Sequence, residues 1–289
     1  MLIVGCGDIG RRVAVLLQAA GARVIGLVHS RRSAQALTDA GIDALVRDLD
    51  ADLPLFAAGS RDVFYFAPPP GTGATDPRMT RVLAAFAVPP RRIVYISTSA
   101  VYGDCAGAWI DENHPVAPTT ARGRRRLDAE RQLAAWAGAH GVEWMILRVP
   151  GIYGPGKLPL ERLRQGLPVL RADQAPYTNR IHADDLAAIC IAAMTATRAD
   201  TVYNVSDGHP SNMTDYFFRV ADAAGLPRPP VVDRAQAEAV LSAGMLSFLN
   251  DSRRMHNDKL LKELDITLQY PDLDSGLAAC FGARANAGD

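Results

Sequence analysis

Paired cysteines are missing from this chain. Its four cysteines, Cys6, Cys105, Cys190 and Cys280, show no CxxC spacing, and its six histidines form no HExxH or other paired-ligand pattern. Neither a disulfide framework nor a metal site is expected, and scattered thiols fit a reducing cytoplasm. An excess of charge is missing too: 31 acidic side chains balance 31 basic ones, which gives no electrostatic pointer to nucleic acid. Long apolar runs are also absent. The longest, Leu186 to Thr197, falls short of the roughly 20 residues a helix needs to cross a bilayer. The chain opens on a strand pattern instead of a basic flank and an apolar signal core. These absences leave a soluble cytoplasmic protein with a small-molecule partner, no nucleic acid and no membrane. At 289 residues and 48% hydrophobic, it can bury a large core as one or two domains.

What is present is a rhythm. Short apolar runs (LIVG, ARVIGLV, DALVRD, DVFYFA, RRIVYIS, VEWMILRV) alternate with amphipathic segments at Ile9 to Ala20, at Ser33 to Ala40, near Thr80, and from about Thr120 onwards. Such alternation predicts an α/β fold, a doubly wound parallel sheet of the Rossmann type with helices on both faces. After Val149 the rhythm breaks at PGIYGPGKLP, and shorter elements follow, with helices at Leu160 to Gln165, Asp184 to Ala196 and Asp215 to Ala224. The reading is a dinucleotide-binding domain from residues 1–150 plus about 178–205. A smaller, interleaved C-terminal substrate region takes 151–177 plus 206–289. Only Leu2 to Val4 precede the glycine loop, which reads as a natural start trimmed or misassigned.

GCGDIG sets Gly5, Gly7 and Gly10 in GxGxxG spacing, with Asp8 and Ile9 between the last two, at the first strand-helix junction. There the first glycine permits a tight turn, the second lets a pyrophosphate approach the backbone, and the third lets helix and strand pack closely. The bland alternative is a glycine-rich turn with no ligand. The second strand ends in His29, Ser30, Arg31 and Arg32. An NAD site commonly carries an acid there for the ribose 2′-hydroxyl, whereas hydroxyl and guanidinium donors suit a 2′-phosphate, so NADP is favoured over NAD. Asp48, after the third strand, either reaches the adenine amine or forms a turn. Ala67 and Pro68 begin a stiff loop, continuing to Gly71, at the carboxyl edge of the sheet beside the cofactor.

STSAVYGD, from Ser97, resembles the active-site strand end of the extended short-chain dehydrogenases/reductases, the nucleotide-sugar epimerase and dehydratase group. LRVPGIYGPG, NRIHADDLA, YNVSDG and NDKLLKELDI follow in that family's order, so the resemblance runs over nearly the whole chain. It implies that Thr98 occupies the catalytic Ser/Thr position, where a hydroxyl can bond a substrate oxygen. The family's Tyr-x-x-x-Lys pair is absent. Counting back from Glu130 puts Arg126 on the lysine position and Arg122 on the tyrosine position, and no tyrosine or lysine occurs between Gly103 and Gly151. The chain is thus similar to the atypical, NAD(P)-dependent epimerase/dehydratase-like branch.

A guanidinium keeps its proton, so it stabilises an oxyanion without cycling a proton as a tuned phenol does. Arg122 and Arg126 share a helical stripe with Ala129, Leu133 and Ala137, and are read as bordering the cleft. Arg124 and Arg125 are read as solvated. Arg126 would also hold the nicotinamide ribose. Tyr102 and Tyr153 are either substitute phenols for the substrate or packing residues. Asn179, Arg180, Arg253 and Arg254 either hold an anionic substrate or face solvent. Asp184 and Asp185 read as a helix N-cap and first-turn acid. Two function classes remain open: an NADP-dependent oxidoreductase or nucleotide-sugar-type epimerase/dehydratase with an altered site, and a non-catalytic NADP-binding redox sensor or assembly factor. A homodimer is compatible with either.

Overall fold

The computed structural model describes residues 1–56, 62–241 and 243–285. Seven strands form the main sheet: β1 (Leu2–Val4), β2 (Ile25–Val28), β3 (Asp43–Val46), β4 (Asp62–Tyr65), β5 (Arg92–Thr98), β6 (Glu143–Val149) and β7 (Thr201–Asn204). Their spatial order is β3-β2-β1-β4-β5-β6-β7, and every pairing is parallel. The order reverses between β1 and β4, which opens a crevice at the carboxyl ends of these strands.

The helices of eight residues or more are α1 (Asp8–Ala19), α2 (Arg31–Thr38), α3 (Pro77–Ala84), α4 (Ala121–His140), α5 (Ala183–Thr195), α6 (Met213–Ala223) and α7 (Leu273–Ala285). Side chains alternate across the strands and feed two cores. Ile3, Val94 and Leu147 pack under Val13 and Leu17 of α1 and Leu186 and Ile189 of α5. Val4, Tyr65 and Ile146 pack on the other face under Met79 and Val82 of α3 and Ala129 and Leu133 of α4. The α/β Rossmann architecture is therefore present, with helices on both faces.

Helix boundaries differ from the sequence expectation by one or two residues, and two of the shifts have a capping reason. Helix α2 begins at Arg31, because Ser30 is its N-cap and its hydroxyl accepts from Ser33 N at 3.1 Å. Helix α5 is capped by His182, whose Nδ1 accepts from Asp184 N, so Asp184 and Asp185 both fall in the first turn. Outside the main sheet, short strand pairs knit distant segments: Gly151–Tyr153 with Arg180–His182, Tyr177–Thr178 with Ser211–Asn212, Val169–Leu170 with Val231–Val232, and Trp109–Ile110 with Arg254–Met255. Tyr153, Leu163, Phe217, Val220 and Leu277 make a separate cluster there around α6 and α7.

Helix α4 is fixed to the sheet by charge as well as packing. Buried Glu130 accepts from both Nε (3.2 Å) and Nη2 (2.8 Å) of Arg148 on β6, and from the Ser97 hydroxyl on β5 (2.5 Å). The Arg148 guanidinium lies 4.8 Å from the Tyr102 ring centroid, and the Tyr102 hydroxyl donates to Asn204 of β7 at 2.7 Å. Four elements are thereby tied by one buried network. At its start α4 presses close to the turn that follows β5: a Cβ on Gly123 would stand 2.7 Å from Ala100 O.

Removing one member of a buried pair strands the other charge, at about 3–5 kcal/mol. Glu130→Ala should lose stability of that order in denaturant unfolding, whereas Glu130→Leu combined with Arg148→Met should recover most of it.

Candidate functional site

The glycine loop joins β1 to α1, and each glycine has a distinct task. Gly5 turns at φ +84°, and a Cβ there would lie 2.4 Å from Ala67 N, so the loop after β4 sits directly against it. A Cβ on Gly10 would meet Ile3 and Cys6 at 3.1 and 3.3 Å, which keeps α1 tight on its strand. Gly7 is different: nothing lies within 4 Å of its would-be Cβ, and as the N-cap of α1 it brings no side chain to the first-turn N–H groups. Open space before uncapped helix N–H groups fits the pyrophosphate of a dinucleotide. The Asp8 side chain turns aside to Lys157 (2.9 Å) and Arg12 (3.5 Å). Partial burial pushes its carboxyl up, but these two cations outweigh it and hold the pKa below the ordinary value.

At the end of β2, Arg31 and Arg32 are exposed, and the Ser30 hydroxyl serves the α2 cap. Asp48 sits in a turn, where its Oδ1 accepts from Asp50 N at 2.9 Å and stands 3.6 Å from His29 Nδ1. Pro68 is held by Arg78, whose Nη1 donates to Pro68 O (3.0 Å) while its Nε donates to Asp50 (2.8 Å).

Pro68 also opens onto a cleft of about 510 Å³ at the carboxyl edge of the sheet. Thr98, Arg122, Arg126, Asn179 and Arg180 all line it. Thr98 ends β5, and its hydroxyl oxygen accepts from Ala100 N at 3.3 Å, which leaves the hydroxyl proton available to a ligand. Arg126 reaches inward, donating through Nη1 to the Tyr95 hydroxyl (3.1 Å) and Ile96 O (2.8 Å). Burial pulls the Arg122 pKa down, with Asp251 opposing and Arg253 assisting the shift.

Several expectations need correcting. Arg125 is not solvated: it is buried, lines the cleft, and donates to Gly73 O at 2.8 Å, because the loop after β4 folds over that side of α4. Arg124 is exposed. Tyr102 and Tyr153 do not line the cleft. The Tyr102 hydroxyl is spent on Asn204. Tyr153 donates to Asp272 O (3.1 Å), and its ring fills the space beside Gly276. Burial pushes the Tyr102 phenol up to about 12 and the Tyr153 phenol higher still. Arg253 is internally paired with Asp251 (2.9 Å), and Arg254 donates to Gly107 O and lies over the rings of Trp109 and Tyr177. The phenol that does line the cleft is Tyr177, which the sequence reading passed over. Its signal was its place three residues before Arg180, in a segment already marked for substrate.

A glycine-loop crevice at the switch point of a parallel sheet, opening into a cleft floored by a Ser/Thr strand end, defines a nicotinamide-dinucleotide-binding Rossmann protein. The model of the NAD dependent epimerase/dehydratase family matches residues 1–206, and the chain belongs to that family. Membership supports a nicotinamide cofactor and a small-molecule substrate. A functionally unknown conserved protein from Silicibacter pomeroyi DSS is 32% identical, with a TM-score of 0.85, and the match covers 100% of this chain and 99% of that one. UDP-glucuronic acid 4-epimerase from Bacillus cereus, solved with NAD, shares the fold at 17% identity, a TM-score of 0.76 and coverage of 100% and 99%. Among curated relatives, a dTDP-glucose 4,6-dehydratase from Actinoplanes sp. is 27% identical over 145 residues, 47% of this chain and 45% of the relative, so the match spans about half its length. Among the described residues, no helix is long and apolar enough to cross a membrane, and no cluster suited to a metal ion occurs.

Asp207, whose backbone N–H donates to Arg180 O, is buried with Oδ2 unpaired, and burial pushes its pKa up to about 6. A raised carboxyl binds its proton more tightly in the folded state, so its stabilising contribution is full below about pH 4 and is lost as pH rises to 6. Asp207→Asn should abolish that component, on the order of 3 kcal/mol, in stability profiles measured between pH 4 and 7.

Proposed function

We propose that the protein is an NADP-dependent enzyme of the nucleotide-sugar epimerase/dehydratase type whose usual phenol is replaced by a guanidinium. One observation carries this reading: Thr98, Arg122 and Arg126 line the same cleft, beside the loop that abuts Gly5. The residues around Gly7 and α1 would hold the pyrophosphate, Arg31 and Arg32 the 2′-phosphate, and Arg126 the nicotinamide ribose. When bound, the cofactor supplies hydride transfer. Thr98 donates its hydroxyl proton to the substrate oxygen, and Arg122 stabilises negative charge growing on that oxygen, which is electrostatic and not acid-base assistance. Because arginine holds its proton, the proton that balances the reaction comes from solvent or from a substrate group. The nucleotide-sugar class draws support from the likeness to a dTDP-glucose dehydratase and a UDP-glucuronic acid epimerase.

The sealed phenols of Tyr102 and Tyr153 favour one second reading, a binding protein that keeps the cleft and lacks turnover. A panel of nucleotide sugars with loaded cofactor separates the two. Because epimerisation and dehydration return the hydride and leave the nicotinamide in its starting state, turnover is read from the sugar by NMR or chromatography: under the enzyme reading at least one sugar is converted, and Arg122→Ala lowers that rate about 100-fold, the loss expected of an oxyanion donor. Retained NADPH affinity with no turnover on any sugar supports the sensor. For cofactor choice, NADPH should bind at least tenfold more tightly than NADH in fluorescence titration. Arg31→Ala with Arg32→Ala should erase the difference while leaving NADH affinity unchanged.

A further inference from the structure

An acid at the first position of α1 poses a problem that the glycine loop alone does not solve. Asp8 suits the helix dipole, but a diphosphate arriving at the uncapped N–H groups of the same turn brings further negative charge beside it. A cation has to stand close to both. Among the described residues two meet the Asp8 carboxylate, Lys157 Nζ at 2.9 Å and Arg12 Nε at 3.5 Å. Arg12 is committed elsewhere as well, because its Nη1 pairs with Asp184 in the first turn of α5. Lys157 has capacity to spare. An ammonium carries three donors, and among the described residues Asp8 is the partner that this one has.

The chain delivers Lys157 to the glycine loop from far along the sequence. It follows the short strand Gly151–Tyr153, where Gly154 (φ +140°) and Gly156 (φ +77°) turn the backbone so that Lys157 N donates to Gly154 O at 3.0 Å. A Cβ on Gly154 would meet His182 Nε2 at 3.2 Å, and His182 is the N-cap of α5. The turn is thus seated on the start of one helix while its lysine reaches the start of another. The Lys157 side chain is 26% exposed, so the ammonium is held at α1 instead of ranging through solvent. A partly exposed ion pair contributes little to stability, which makes fastening the turn a weak reason for this one.

We infer that Lys157 is a ligand of the cofactor's diphosphate: Asp8 accepts one N–H of the ammonium and so orients it, and a second N–H is donated to a phosphate oxygen at the start of α1. The inference rests on the dinucleotide site of the proposed function and adds to it a ligand that comes from the smaller, C-terminal region. Phosphate accepts such a compact point charge readily. Asp8 is then a positioning residue, and Arg12 keeps its carboxylate compensated while Lys157 serves the diphosphate. Cofactor binding and the turn at Gly154 to Lys157 become linked, since the ligand rides on that turn.

ADP-ribose isolates the contact, because it carries the diphosphate and neither the nicotinamide nor the 2′-phosphate. In calorimetric titrations of the full chain, Lys157→Ala should bind ADP-ribose and NADPH about tenfold more weakly than wild type, and by the same factor for both, as a lost charge-assisted hydrogen bond requires. Lys157→Gln, which keeps the reach to Asp8 without the charge, should show the same loss and covers the case in which the alanine variant does not fold. Asp8→Asn leaves the lysine in place and should change either affinity less than about threefold. Arg11→Ala removes an exposed cation from the same helix and should change them less than about twofold. A turn merely fastened to α1 behaves differently, with Asp8→Asn and Lys157→Ala losing affinity equally. Equal losses in those two variants, a loss as large in Arg11→Ala, or wild-type affinity for ADP-ribose in both Lys157 variants overturns the inference. Lys157-dependent binding of ADP-ribose in a protein that converts no sugar and does not prefer NADPH removes the proposed function and leaves this contact standing; sugar turnover with ADP-ribose affinity indifferent to Lys157 does the reverse.

Discussion

The ion pair between Glu130 and Arg148 determines where everything else in the cleft can be. It is buried on both sides, bidentate, and completed by the Ser97 hydroxyl. A charge pair of this kind contributes little net stability compared with apolar packing, but it tolerates very few arrangements, because any other register leaves a charge unpaired in the interior. Glu130 therefore fixes the rotation of α4. With Glu130 turned to the sheet, Arg126 one turn earlier falls over Tyr95 and Ile96, and Arg122 one turn before that falls at the cleft. Gly123 then lets the helix start lie against Ala100.

That placement answers the dipole problem posed by an arginine-rich first turn. Positive side chains at a helix N-terminus are disfavoured by the macrodipole, and α4 has no acid in its first turn to offset them. They are held instead by tertiary contacts: Arg125 by Gly73 O, Arg126 by Tyr95 and Ile96, and Arg124 by Thr119 O. The energetic conflict is local to the site, which is where such conflicts serve function. A guanidinium in this position can polarise and bind, whereas proton exchange is closed to it.

The sheet was legible because short continuous apolar runs and a glycine punctuation mark survive without any tertiary information, as at Leu2 to Val4 and Gly5. The stripe of Arg122, Arg126, Ala129 and Leu133 was legible for the same reason at period 3.6. Arg125 was misread because its partner, Gly73 O, belongs to a loop whose path no local pattern encodes. The sequence left Tyr102 open between a substrate phenol and a packing residue, and the turn from Ser99 to Tyr102, which carries its ring away beneath Arg148, makes it the latter. The roles of Asn179, Arg253 and Arg254 depended on pairing between segments more than 70 residues apart, such as Trp109–Ile110 with Arg254–Met255. Spacing along the chain carries no trace of such pairings.

The central claim is that Arg122 and Arg126 stand at the reactive end of the bound cofactor. A crystal structure of the protein with NADPH tests it most directly. The account predicts the nicotinamide within the cleft, Arg126 bonded to its ribose, and Arg122 facing the open side of the ring across from Thr98. Nicotinamide bound outside the cleft, or ordered within it while both guanidinium groups contact protein and solvent alone, would contradict the account.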